Sequence, residues 1–319
     1  MSEIQLYANG RAAVLSTKLF GADKFARLKE CNTVAEALKI LYESGYGNGS
    51  SVDSANDYEA ILRGEIDGAL KLFKELCYDK RVESYVVARY DYLNAKALMK
   101  SKYMRVDGIP YCYQEGSVSA RVMQDSFVKD DYSVVSKNMA EACDEIDTLF
   151  AEGKKSPRIV DKTLDKAMFA EMRACAKRCR VKIIKRLFDY EVNTVNIMTA
   201  YRLKRASAAK EDYADLIVDG GSVCREMLLK LWDNEQSASD LPYEYKSFYA
   251  LCTSDKADLL SAERARDERI FAIISEETDL LSVQPVLDYF YRKVNEIDEI
   301  RRIFVEIKSR QNKENQGNK

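Results

Sequence analysis

The feature that most constrains this chain is a motif that returns after about a hundred residues. Asp91-Tyr92-Leu93-Asn94-Ala95-Lys96-Ala97-Leu98-Met99-Lys100-Ser101-Lys102 is echoed 102 positions later by Asn193-Thr194-Val195-Asn196-Ile197-Met198-Thr199-Ala200-Tyr201-Arg202-Leu203-Lys204. Both run as a polar residue, two spacers, Asn, then an apolar and basic stretch. A poorer third copy, Glu296-Ile297-Asp298-Glu299-Ile300-Arg301-Arg302-Ile303, puts Glu299 at the Asn position after a further 103 residues. A second marker agrees: Gly116-Ser117-Val118-Ser119 reappears as Gly221-Ser222-Val223-Cys224, 105 positions on. Internal periodicity of this kind outranks any single motif, and roughly 100 residues is the usual size of a small domain. The chain therefore reads as three pseudo-repeated helical bundles, over 1–85, 86–190 and 191–319, the last with a closing C-terminal helix and a frayed polar tail at 311–319.

The secondary-structure class follows from what is scarce. The 319 residues hold 13 Gly and 4 Pro, less than half of the roughly 12% that average usage supplies. So few breakers mean long uninterrupted helices, and the expectation is an all-α protein. The spacing predicts helices over 12–20 and from 35 to 42, then a loop at 45–51, with Ser54 or Asn56 capping a helix that Gly64 and Gly68 bend or press against a neighbour. Val82, Val86, Tyr90, Leu93 and Ala97 form a stripe at three- and four-residue steps on a long helix near 81–104. A helix from Ser117 is expected, with a break at Asp130-Asp131. Ser156-Pro157 reads as N-cap and first helical residue, and Asp219-Gly220-Gly221 as the end of the second repeat's long helix. Asp240-Leu241-Pro242 and Gln284-Pro285 each start another helix. The last helix carries Val286, Phe290, Val294, Ile297, Ile300, Phe304 and Ile307 as a coiled-coil-like seam.

Most functional classes are excluded by missing residue types. With no histidine at all, the commonest general base and metal ligand is gone. No Gly-x-x-x-x-Gly-Lys-Ser/Thr loop occurs, which removes P-loop nucleotide hydrolysis. Asp130-Asp131 offers two carboxylates without a third one turn later, so a solvated helix end is favoured over a magnesium site. Cys175 and Cys179 lack a second ligand pair and read as core residues. No cofactor or metal is expected. Basic and acidic side chains number 50 and 52, a balance that argues against nucleic acid as partner. Eight scattered cysteines suit a reducing compartment, and no apolar run exceeds five residues, where crossing a bilayer takes about 20. The start lacks the features of a signal peptide, so the chain is expected to remain where it is made.

The polar positions in the repeat have two readings. Asp91 and Asn94, three residues apart on one helix face, resemble an acid and base pair, but their return at Asn196 and Glu299 favours hydrogen bonds that fix packing. The cluster Lys177, Arg178, Arg180, Lys182, Lys185 and Arg186 is either a contact for an acidic surface, protein or lipid headgroup, or an ordinary solvated helix face. Gly116, Ser117, Gly221 and Ser222 recur at matched positions. They are expected at the same end of two bundles and are candidates for partner contact, as are Lys177, Arg178 and Arg180. Twenty Tyr against eleven Phe and one Trp suit a protein whose business is contact.

These same residues carry a resemblance. The stretch 91–102, its echo at 193–204, and Glu296-Ile297 followed by Ile300-Arg301-Arg302-Ile303 resemble the C subunit of bacterial and archaeal V-type (A-type) ATPases, whose eukaryotic counterpart is the d subunit. Tyr7-Ala8-Asn9-Gly10-Arg11, Thr33-Val34-Ala35-Glu36-Ala37-Leu38 and Gly45-Tyr46 are similar to that family's opening, so the resemblance spans nearly the whole chain. Asn193 stands where the family has Asp, and Glu299 where it has Asn. The resemblance implies a funnel of approximate threefold symmetry. This would be a non-catalytic central-stalk subunit that couples the rotating coiled-coil shaft, with its small companion subunit, to the membrane proteolipid ring, peripheral on the cytoplasmic face. Proton or sodium coupling and the direction of ATP turnover are decided elsewhere. The alternative left by the residues alone is a helical-repeat adaptor unrelated to a membrane rotor.

Overall fold

A computed structural model describes residues 2–49, 58–254, 258–276 and 282–317. Among them the chain forms only helices, with no strand. In order these are α1 (Ser2–Ser16), α2 (Ala22–Glu30), α3 (Val34–Glu43), α4 (Tyr58–Leu76), α5 (Lys80–Met104), α6 (Ala120–Val128) and α7 (Lys137–Ala151). There follow α8 (Pro157–Arg178), α9 (Lys182–Arg205), α10 (Lys210–Leu216), α11 (Arg225–Asp233), α12 (Tyr243–Thr253), α13 (Leu259–Ser275) and α14 (Gln284–Gly317). The all-α class is thus established.

Starts and stops follow local chemistry. Thr33 and Glu36 form a reciprocal capping box on α3, and the side chains of Asp79, Ser119, Ser136, Ser156 and Asp258 accept from first-turn amides of α5, α6, α7, α8 and α13. Such caps are worth about 0.5–2 kcal/mol each. Pro157 follows Ser156 at the first helical position, where its missing N–H costs nothing. Arg105, at φ 56°, ends α5 in the left-handed region.

Several boundaries differ from the sequence expectation. The first helix runs from Ser2 to Ser16 rather than over 12–20; at its end the Ser16 and Thr17 hydroxyls donate to the Ala12 and Val14 carbonyls, and extended Gly21 then leads into α2. Ser119, not Ser117, caps α6. The long helix of the second repeat stops at Arg205, where Ser207 takes φ 54°, and a short α10 is inserted before Asp219. Gly64 and Gly68 lie inside α4, and a Cβ at either would meet nothing within 4 Å, so neither marks a close crossing. Helix α14 continues through 311–317, where fraying was expected. Ser54 and Asn56 lie outside the described residues.

The chain divides into two compact units, 1–78 with 278–319, and 79–277. In the first, α14 packs on α1, α2, α3 and α4. Its seam buries Val286, Leu287, Phe290, Ile297, Ile300, Ile303, Phe304 and Ile307, with Phe290 on Phe73 and Phe304 on Tyr58, each pair 4.9 Å between ring centres. Burying a side chain of this size contributes about 1.5–3 kcal/mol.

In the second unit α5 lies along α8, and α9 contacts α8, α12 and α13. The repeat is visible in the ion pairs between these helices. Lys100 meets Asp161 at 2.6 Å, joining α5 to α8. Arg202 meets Glu263 at 3.0 Å, joining α9 to α13, and both partners are shifted by 102 positions.

Candidate functional site

Helices α5 and α9 each carry a buried Asn whose side-chain amide bonds both the N–H and the C=O of one residue in the loop that follows. Asn94, fully buried on α5, donates from Nδ2 to the Tyr113 carbonyl at 2.8 Å and accepts at Oδ1 from the Tyr113 amide at 2.7 Å. Asn196, on α9, does the same to Val218, at 2.8 and 2.9 Å. An Asn is suited to this because its amide offers one donor and one acceptor in the geometry of a peptide group. Without Asn196, the buried N–H and C=O of Val218 would each be left unmatched. The two gripped residues stand 105 positions apart, as the glycine markers do.

Those glycines explain the second polar position. Gly116 comes so close to Asp91 that an added Cβ would lie 2.5 Å from its Oδ1. At Gly221 the same addition would collide with the Asn193 side chain even more closely. The residue after each glycine completes the contact. Asp91 accepts from the Ser117 amide at 2.7 Å and from its hydroxyl at 2.6 Å. In the second copy the carboxylate comes from a different place. Asp189, one turn earlier on α9, accepts from the Ser222 amide at 2.5 Å, its hydroxyl at 2.9 Å and the Tyr245 hydroxyl at 2.7 Å. Asn193 then donates to Ser222 Oγ at 3.0 Å and accepts from the Val223 amide at 3.2 Å. The first copy has Val87 at the position matching Asp189, and Ala140 at the position matching Tyr245. Burial first, with the Asp189 carboxylate adding to it, pushes the Tyr245 phenol above its ordinary range, while Asn193 and Ser222 pull the other way.

In the third copy, within the first unit, the position of Asp91 is held by Glu296. It is 5% exposed and accepts from the Phe20 amide at 2.5 Å, from the Tyr46 hydroxyl and from Lys293 at 2.9 Å. Glu299, at the Asn position, makes ion pairs with Lys29 at 3.6 Å and Arg302 at 3.2 Å. Sequence reasoning singled out Asp91, Asn94, Asn196 and Glu299, quoted Glu296 only as the opening residue of the third copy, and passed over Asp189. The signal for Glu296 was present, since it aligns with Asp91; its partner Phe20 lies 276 positions away.

The loop residues Gly116, Ser117, Gly221 and Ser222 are therefore bound to their own long helices, with the two serines still solvent-accessible. Lys177, Arg178 and Arg180 are exposed at the junction of α8 and α9. The wider basic cluster is not one helix face, because Cys179 ends α8 and Val181 precedes α9. Arg186 is paired with Glu276. Cys175 and Cys179 are buried free thiols, raised above the ordinary range chiefly by burial. Asp130 meets Lys102 at 2.5 Å. Among the described residues no group of three or more acidic or cysteine side chains is placed to hold a metal ion, and no helix is long and apolar enough to cross a membrane.

The arrangement as a whole latches loops to long helices at fixed points. A family model described as ATP synthase (C/AC39) subunit matches residues 8–317. The C subunit of the A-type ATP synthase of Methanosarcina acetivorans is 25% identical, covering 93% of this chain and 87% of the relative. Proteins of the same name from Thermococcus onnurineus and Methanosarcina mazei are 22% and 23% identical, each again covering 93% of this chain, and 84% and 87% of the relatives.

Proposed function

The chain belongs to the ATP synthase (C/AC39) subunit family, and from that premise we propose that it is the non-catalytic central-stalk subunit that couples the rotating shaft to the membrane proteolipid ring. The observation that carries the reading is the family match along nearly the whole length, residues 8–317. On this reading the coiled-coil shaft and its small companion subunit are received on one side and the ring on the other, and the subunit sits peripherally on the cytoplasmic face.

The mechanism is transmission of torque. A body that carries torque must not let its surface loops slide over its helices. The two-ended Asn bonds and the carboxylate contacts supply that resistance, because a buried peptide that loses its partner costs about 1–3 kcal/mol per group. Lys177, Arg178 and Arg180, together with the loop ends at Ser117 and Ser222, are the proposed contact points for partners. Electrostatic contacts there would act mainly on association rate and register.

The test is coupling itself. Membranes whose rotary complex lacks this chain should have ATP-hydrolysing heads that no longer drive ion movement, and adding the purified chain back should restore it. Ion movement that persists without the chain would overturn the reading.

A further inference from the structure

The two copies in the second unit differ at one more place, and in the second copy a cavity lies beside it. In the first copy Lys102, at the end of α5, meets two carboxylates: Asp130 at 2.5 Å and Asp147, on α7, at 2.8 Å. Asp147 also accepts from the hydroxyls of Tyr132, at 2.5 Å, and Tyr103. The Tyr132 ring, 5% exposed, fills the space beside them.

With a shift of 102 along the long helix, Lys102 becomes Lys204 and Tyr103 becomes Arg205; with the shift of 105 beyond the glycine loop, Asp130 becomes Glu235, Tyr132 becomes Ser237 and Asp147 becomes Cys252. The first ion pair is retained, Lys204 to Glu235 at 3.1 Å. The second carboxylate is gone. Burial pushes the Cys252 thiol up to about 11, against a smaller opposing effect of Arg202, so it brings no charge. A second cation, Arg205, has arrived, and its guanidinium donates to the Tyr201 hydroxyl at 2.9 Å. Beside Lys204 and Cys252 there is a cavity of about 250 Å³, lined on its apolar side by Ile197, Tyr213, Leu228, Leu231 and Tyr249, with Arg205 and Glu235 also among its lining residues.

We propose that this cavity binds a small monocarboxylate with an aromatic or short branched apolar body, its carboxylate meeting Lys204 and Arg205 as Asp147 meets Lys102 and Tyr103 in the first copy. The first copy displays the required chemistry in covalent form: beside Lys102 it has the Tyr132 ring and the Asp147 carboxylate that the second copy lacks. The size is suitable, since an apolar cavity of about 150 Å³ already admits benzene. Glu235 limits the ligand to a single negative charge, because a second would face a like charge at the rim. The inference stands on the internal comparison and is independent of the coupling role.

Trp232, the chain's one tryptophan, stacks on Tyr213 of the cavity floor with ring centres 5.1 Å apart, so its emission reports occupancy. The experiment titrates the full chain with 3-phenylpropionate and, separately, with the neutral 3-phenylpropanamide. A saturable change below about 10 mM carboxylate is expected, with the amide weaker by about tenfold or more. Arg205→Tyr, an exposed position, should weaken the carboxylate by a similar factor, and Cys252→Asp, which restores the missing charge from within, should abolish binding. Absence of a saturable change with the wild-type chain would overturn the proposal, as would equal affinity for the amide. Should Cys252→Asp fail to fold, the amide and Arg205→Tyr decide the matter, and unchanged affinity in Arg205→Tyr contradicts it.

Discussion

The loop contacts of α5 and α9 reach the same result by different side chains. Asn94 and Asn196 bond the N–H and C=O of one loop residue in the same way, but the serine that follows the glycine is held by Asp91 in one copy and by Asp189, a turn earlier, in the other. What is kept between the copies is the set of loop groups that need partners. The position supplying those partners is free to move by a turn, because residues four apart on a helix lie one above the other.

Base acts on both copies and is expected to have the largest effect. Burial raises the Tyr92 and Tyr132 phenols in the first copy and Tyr213 and Tyr245 in the second above their ordinary value near 10, with Glu171 and Asp147 adding to the rise at Tyr92 and Tyr132. The folded state therefore holds these protons after the unfolded chain has released them. Their contribution to stability is complete below pH 10 and is lost as the pH rises toward the folded values. Phenolate absorbance should appear together with loss of helical circular dichroism; phenolate forming in a chain that stays folded would contradict this.

Among substitutions, Asn196→Ala should cost the most, about 2–5 kcal/mol for two unmatched backbone groups. Asn94→Ala should cost less, because Tyr113 is half-buried where Val218 is buried, so water can reach its peptide. Chemical unfolding midpoints of the two variants would rank them, and a greater loss at Asn94 would break the comparison. Gly116→Ala and Gly221→Ala should each cost about 1–3 kcal/mol through overpacking, with the Gly116 penalty shrinking in an Asp91→Ala background.

The exchange of carboxylates can be tested directly. Asn193→Asp places a second carboxylate at Ser222 beside Asp189 and should destabilise, whereas adding Asp189→Val, which copies the first repeat, should recover part of the loss. A coupling of about 0.5–3 kcal/mol in the double-mutant cycle is expected; additive effects would mean the two side chains do not share the serine. Charge reversal at Lys177, Arg178 and Arg180 together should change stability by no more than about 0.5 kcal/mol per site, while altering the salt dependence of partner binding.

Much of this was legible because polar residues recurring inside an apolar stripe have few explanations. Asn94 and Asn196 stood out on those grounds, and the all-α class followed from the lack of Gly and Pro. Asp189 was not legible: it sits opposite Val87, and only the loop's position reveals that it substitutes for Asp91. Nor was the packing of α14 on α1 to α4, since no local pattern tells a C-terminal helix that its partners lie some 250 residues earlier. The end of α9 was misplaced because the Asp219-Gly220-Gly221 break is conspicuous, while the actual stop at Ala206 and Ser207 depends on a left-handed serine. The Tyr103 and Arg205 exchange was visible in the sequence but had no meaning until the cavity beside it was seen.

The most direct test of the functional account is to mix the full chain with the coiled-coil shaft subunit of the same organism and measure the native mass across a salt titration. The account predicts a stable one-to-one complex that weakens with salt. Two proteins that remain separate at micromolar concentration and low salt would contradict it and favour an adaptor unrelated to the rotor.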